Sequence, residues 1–174
     1  GGLVQHALAL SIGTTGGMTF VPAGFPNAGT LLISSFSGQE IYSAQMVAGP
    51  GGTLVPTNVT LYATMPGTSL VGMRFIPSGP LAGKLLVADY NVPGTLWMVD
   101  IDPSTGQAVG GPVATAVTTF VSQIPLLDGL AFDPITGDLF ASDWLGYSIT
   151  QFTGVTTLTS LVPSKNTLSI SGQS

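Results

Sequence analysis

The chain has 174 residues, enough for one domain with a core of its own. Only 6% of them are charged, and the net charge is −5 with three basic residues, Arg74, Lys84 and Lys165. Three cations cannot track a phosphate backbone or an anionic bilayer, which argues against nucleic-acid and membrane-surface partners. No apolar run reaches the ~20 residues of a membrane-spanning helix, and the absence of Cys excludes disulfides, thiolate metal sites and a Cys nucleophile.

In chain order, the first expected element is a strand over residues 3–12. There Val4, His6, Leu8, Leu10 and Ile12 alternate with Gln5, Ala7, Ala9 and Ser11. A repeat follows. Its first unit reads GMTFVP from Gly17 to Pro22, then GTLLISSF from Gly29 to Phe36, then Ile41 and Tyr42. The second reads GMRFIP from Gly72 to Pro77, GKLLVADY from Gly83 to Tyr90, then Leu96 and Trp97. The third reads GLAFDP from Gly129 to Pro134, GDLFASDW from Gly137 to Trp144, then Ile149. Gly29, Gly83 and Gly137 are spaced 54 residues apart each time, as stacked structural repeats require.

Each unit predicts four short strands. The first is closed by a Pro that cannot donate to a ladder. The second is a continuous apolar run, expected of a strand covered on both faces. The third carries Ile41, Leu96 or Ile149. The fourth is Thr- and Val-rich, over Val59–Ala63, Ala114–Phe120 and Thr156–Leu161. Two Asp-Pro-x-Thr-Gly stretches, Asp102–Gly106 and Asp133–Gly137, read as turns closed by a left-handed Gly. Asp100-x-Asp102 is a turn on this reading and not a calcium loop, because the Gly falls one place late and Gly111 stands at the closing Glu. The fold expected is therefore all-β: three four-stranded antiparallel β-propeller blades in one domain, a half-propeller or an open array. Blade 1 covers about residues 17–64, blade 2 about 72–120 and blade 3 about 129–162, with a C-terminal tail over 163–174. Within that tail, Thr167–Ser171 is a spare strand candidate.

The repeat, clearest in LLDGLAFDPITGDLFASDW, resembles the G-h-x-h-D/x-P…G-x-L-h-V-[AS]-D-x blade pattern of the NHL and gluconolactonase (senescence-marker) family of six-bladed β-propellers. The resemblance implies that the residue before each first-strand Gly lies near a central channel and can bind a metal. Those residues are Gly16, Val71 and Asp128, so the metal candidate is Asp128 and the implied ion is Ca²⁺; the alternative is a strand-entrance cap on backbone N–H groups. It also implies about six blades per ring. Three blades then need other copies of the chain, in a homo-oligomer or filament, or the remainder of a longer propeller.

Tyr90, Trp97 and Trp144 are candidate ligand-facing aromatics, and Asp89 and Asp143 candidate turn caps. Asn58-Val59-Thr60 fits a glycosylation acceptor. One His, no G-x-S-x-G elbow and no His-containing metal cluster give nucleophilic catalysis little support. The expected function is a non-enzymatic secreted or cell-surface interaction module that self-associates through blade edges and spare terminal strands. The alternatives are a metal-dependent gluconolactonase- or lyase-like enzyme complete only as an oligomer, and a carbohydrate-binding propeller.

Overall fold

A computed structural model describes residues 13–113, 116–124, 126–144, 146–157 and 164–169. The chain is all-β, and its described residues form twelve strands in three four-stranded antiparallel sheets. The first sheet holds β1 (Thr15–Phe20), β2 (Leu31–Ser35), β3 (Glu40–Ala48) and β4 (Leu54–Thr64) in sequence order. The second holds β5 (Leu70–Phe75), β6 (Leu85–Asp89), β7 (Gly94–Val99) and β8 (Val117–Ile124). The third holds β9 (Leu127–Phe132), β10 (Leu139–Asp143), β11 (Ser148–Thr153) and β12 (Ser164–Ser169). The first strands lie side by side, β1 on β5 and β5 on β9, so the sheets splay outward from them like blades.

The repeat positions explain the turns. Gly29, Gly83 and Gly137 each open a second strand with φ of 83°, 82° and 74°, a conformation that costs other residues a Cβ clash. In both Asp-Pro-x-Thr-Gly stretches the Gly N–H returns to the Asp carbonyl, at 2.7 Å in Asp102–Gly106 and 2.9 Å in Asp133–Gly137. The Asp side chains close the same turns. Asp102 accepts from the Ser104 N–H and hydroxyl, and Asp133 from the Ile135 N–H and the Thr136 hydroxyl. These bonds hold both carboxyls below the usual aspartate range.

Two cores lie between the sheets. Val21, Leu32, Ile41 and Tyr62 of the first sheet meet Met73, Phe75, Leu85 and Val87 of the second. On its other side the second sheet gives Leu86, Ala88, Leu96 and Met98 to Leu130, Leu139, Ala141 and Phe152 of the third. Hence every residue of β6 is buried, as its apolar run predicts, whereas burial in β10 is only partial. The Tyr62 hydroxyl donates to the Gly106 carbonyl at 2.9 Å and ties the first sheet to a turn of the second. Burial pushes that phenol well above the usual tyrosine range.

The third sheet corrects the expected boundaries. Its fourth strand is Ser164–Ser169, in register with β11 from Thr153↔Ser164 to Ser148↔Ser169. Thr156 and Thr157 of the expected strand lie in a turn, where the Thr157 N–H and hydroxyl both donate to the Gly154 carbonyl. Residues 158–161 lie outside the described residues, as does the expected strand over 3–12 with His6. Residues 164–169 of the tail are therefore not a spare strand but the outer edge of this sheet. Likewise β8 runs on to Ile124, four residues past the expected end at Phe120.

Candidate functional site: an aromatic mouth at the strand entrances

Antiparallel order places the starts of β1, β5 and β9 at the same end as the ends of β2, β6 and β10. The repeat therefore brings two sets of equivalent residues to one mouth. Thr15, Gly16, Val71 and Asp128 come from the strand entrances; Phe36, Tyr90 and Trp144 follow the second strands. Together they line a cavity of about 360 Å³. Phe36 and Tyr90 meet with ring centroids 5.5 Å apart, tilted by 56°, within the contact range of aromatic pairs. Trp144 is 63% exposed and leaves its ring open to solvent.

Asp128, Tyr90 and Trp144 thus converge, as their shared repeat positions imply. Asp128 is half-buried, and among the described residues its carboxylate has no hydrogen-bond partner. The two neighbouring aspartates are caps. Asp143 accepts the Gly146 N–H at 2.8 Å; buried Asp89 accepts from the Ser69 N–H at 3.3 Å and the Asn91 amide at 2.5 Å. A Ca²⁺ ion takes six to eight oxygen ligands. Among the side chains that line the mouth there is one carboxylate, with the Thr15 and Tyr90 hydroxyls as the other oxygen-bearing groups, a side-chain set too small to hold the ion by itself. Among the described residues no three His, Cys, Asp or Glu side chains group together.

Trp97 is not at the mouth. It lies on the face of β7 that packs against the first sheet, beside the core of Val21, Leu32 and Val87. Its indole N–H is buried with no partner among the described residues. Strand alternation explains the difference, since β6 and β7 are apolar on both faces and the sequence does not mark which face a Trp takes. Phe36, passed over as the first unit's counterpart of Tyr90, belongs to the mouth by that same equivalence.

A larger cavity of about 660 Å³ opens at the opposite end, between Phe25 and the loop over residues 100–111. Its charged pair, Lys84 and Asp100, is self-neutralising at 2.5 Å. The units contribute no equivalent set of residues to it.

No protein family and no curated protein matches the chain. Among solved structures it is similar to a functionally unknown protein from Desulfotomaculum acetoxidans DSM 771, with 15% identity and a TM-score of 0.48. The alignment covers 85% of this chain and 41% of that one, so the chain spans less than half the length of that protein.

Proposed function

We propose that the chain is a non-enzymatic interaction module that associates with other copies of itself, at the cell surface or outside the cell. One observation carries this reading. Met18 and Phe20 of the first unit correspond to Met73 and Phe75 of the second. The second pair is sealed between sheets, at 0% and 9% exposure, whereas the first pair stands open at 61% and 53%. The same residue types are packed where a preceding sheet exists and bare where, among the described residues, none does, and adjoining exposed apolar side chains mark an association surface. The sparsely charged, Lys-poor and Ser/Thr/Gly-rich composition suits an extracellular setting. Light scattering across the micromolar range is expected to show dimers or larger species, reduced to monomer by Phe20→Asp. A wild-type chain that stays monomeric throughout would remove the reading.

A second reading rests on the mouth. One half-buried carboxylate beside an exposed Trp and a Tyr is a combination suited to a sugar, whose C–H face stacks on an aromatic ring while its hydroxyls donate to the carboxylate. Trp144 fluorescence is expected to be quenched by a glycan, with the response lost in Asp128→Ala. Silence across a glycan panel would leave the mouth as a packing feature.

A further inference from the structure

We infer that the association is head-to-tail: the outer face of the third sheet receives the first strand, β1, of a second copy. The inference rests on the self-association reading and adds its polarity and its contacts.

The boundary between sheets is built twice within the chain, and its parts can be read off. At the first boundary, Gly17 lies so close to the second sheet that a Cβ there would sit 2.6 Å from the Val71 carbonyl oxygen. Beside it the Ser34 hydroxyl accepts the Gly17 N–H at 2.7 Å and donates to that same Val71 carbonyl at 2.8 Å. Leu32 and Ile41 are buried against the neighbour. At the second boundary, Gly72 takes the place of Gly17, and a Cβ there would run into the Asp128 carbonyl. Leu86 and Leu96 replace Leu32 and Ile41 and are again fully buried.

The third sheet carries the parts of the first boundary without the neighbour; at the second boundary Ala88 stands at the Ser34 position and supplies no hydroxyl. Gly129 stands at the Gly17 position, and among the described residues a Cβ there would approach only Ser142 Oγ, at 3.0 Å. Ser142 stands at the Ser34 position. It accepts the Gly129 N–H at 2.9 Å, but among the described residues its own proton meets no carbonyl like that of Val71. Phe140 and Ile149, at the positions of Leu32 and Ile41, are only half-buried. The face is a socket with a glycine floor, a waiting hydroxyl donor and two apolar walls.

The complementary part is at the other end of the chain. In the two formed boundaries the incoming strand offers a backbone carbonyl just before its Gly, Val71 or Asp128, and the side chains Met73 and Phe75 or Leu130 and Phe132. In β1 the same positions are Gly16, Met18 and Phe20. The contact proposed is therefore the Ser142 hydroxyl donating to the Gly16 carbonyl of a second copy. Met18 and Phe20 of that copy cover Phe140 and Ile149. Such a heterologous interface continues the internal boundary from one molecule to the next.

The test uses the whole chain and two variants that each disable one face. Gly129→Val blocks the socket at a position that is exposed and outside the left-handed region, so the fold is expected to stand. Phe20→Asp disables the incoming strand. Each variant alone is expected to be monomeric where the wild type associates, while an equimolar mixture forms a dimer and nothing larger, because one intact face of each kind remains. Ser142→Ala, with circular dichroism unchanged, is expected to weaken association about fivefold to tenfold, the worth of one hydrogen bond. Association of Gly129→Val at wild-type strength would overturn the polarity and leave self-association standing, as would a mixture that stays monomeric. A monomeric wild type would remove both.

Discussion

Gly72→Ala is expected to destabilise the chain by about 3 kcal/mol, at the upper end of overpacking costs. The sign is not the usual one. Gly72 is outside the left-handed region. An Ala there would normally stabilise by roughly 0.4–1 kcal/mol, by restricting the unfolded chain. Here the added methyl runs into the Asp128 carbonyl oxygen and comes within 3.1 Å of the Leu130 nitrogen and 3.3 Å of the Gly129 carbonyl carbon. All three are backbone atoms of β9, so no side chain can swing aside; β5 and β9 must separate, and the core from Leu86 to Phe152 separates with them. Gly129→Ala is the control at the equivalent position, where among the described residues only the Ser142 hydroxyl is near. Urea unfolding of both variants measures the difference. Equal stability would mean that the close approach of the inner strands does not hold the sheets together.

The glycines also show how much of the structure the sequence makes legible. Positions that demand a special backbone repeat visibly: Gly29, Gly83 and Gly137 mark three left-handed turns, and Gly17, Gly72 and Gly129 mark the inner strands. The mouth is legible for the same reason, because equivalent residues of a repeat arrive at equivalent places; Asp128, Tyr90 and Trp144 meet there. Where no backbone constraint exists, composition misleads. Thr156–Leu161 is Thr-rich and reads as a strand, but Gly154 at φ 76° turns the chain at Thr156 and Thr157, and the more polar Ser164–Ser169 pairs with β11. An outer strand has one partner strand and needs little apolar pattern, so its position is weakly written. Trp97 failed differently: its strand is apolar on both faces, and its face is set by the neighbouring sheet. The socket is invisible in sequence, since Gly129 and Ser142 look like their repeat partners until the structure shows what they lack.

Met73→Ala and Met18→Ala make the same chemical change at equivalent positions and should differ widely. Met73 is fully buried between the first two sheets, among Leu32, Leu85 and Val87. Truncating it removes the buried thioether and leaves a cavity, a change that costs about 3 kcal/mol at any protein concentration. Met18 is open to solvent, so in a dilute monomer its truncation should stay within about 0.5 kcal/mol. Association alters this comparison. A partner that binds only the folded chain adds stability that grows with concentration. If a second copy's third sheet covers Met18, the wild type gains that stability and Met18→Ala gains less of it. Urea melts at low and high concentration therefore read the first sheet's face directly. The Met18→Ala deficit is expected to grow with concentration toward that of Met73→Ala, while the Met73→Ala deficit stays constant. A Met18→Ala deficit that does not change with concentration would mean that this face meets water in the assembly as it does in the monomer.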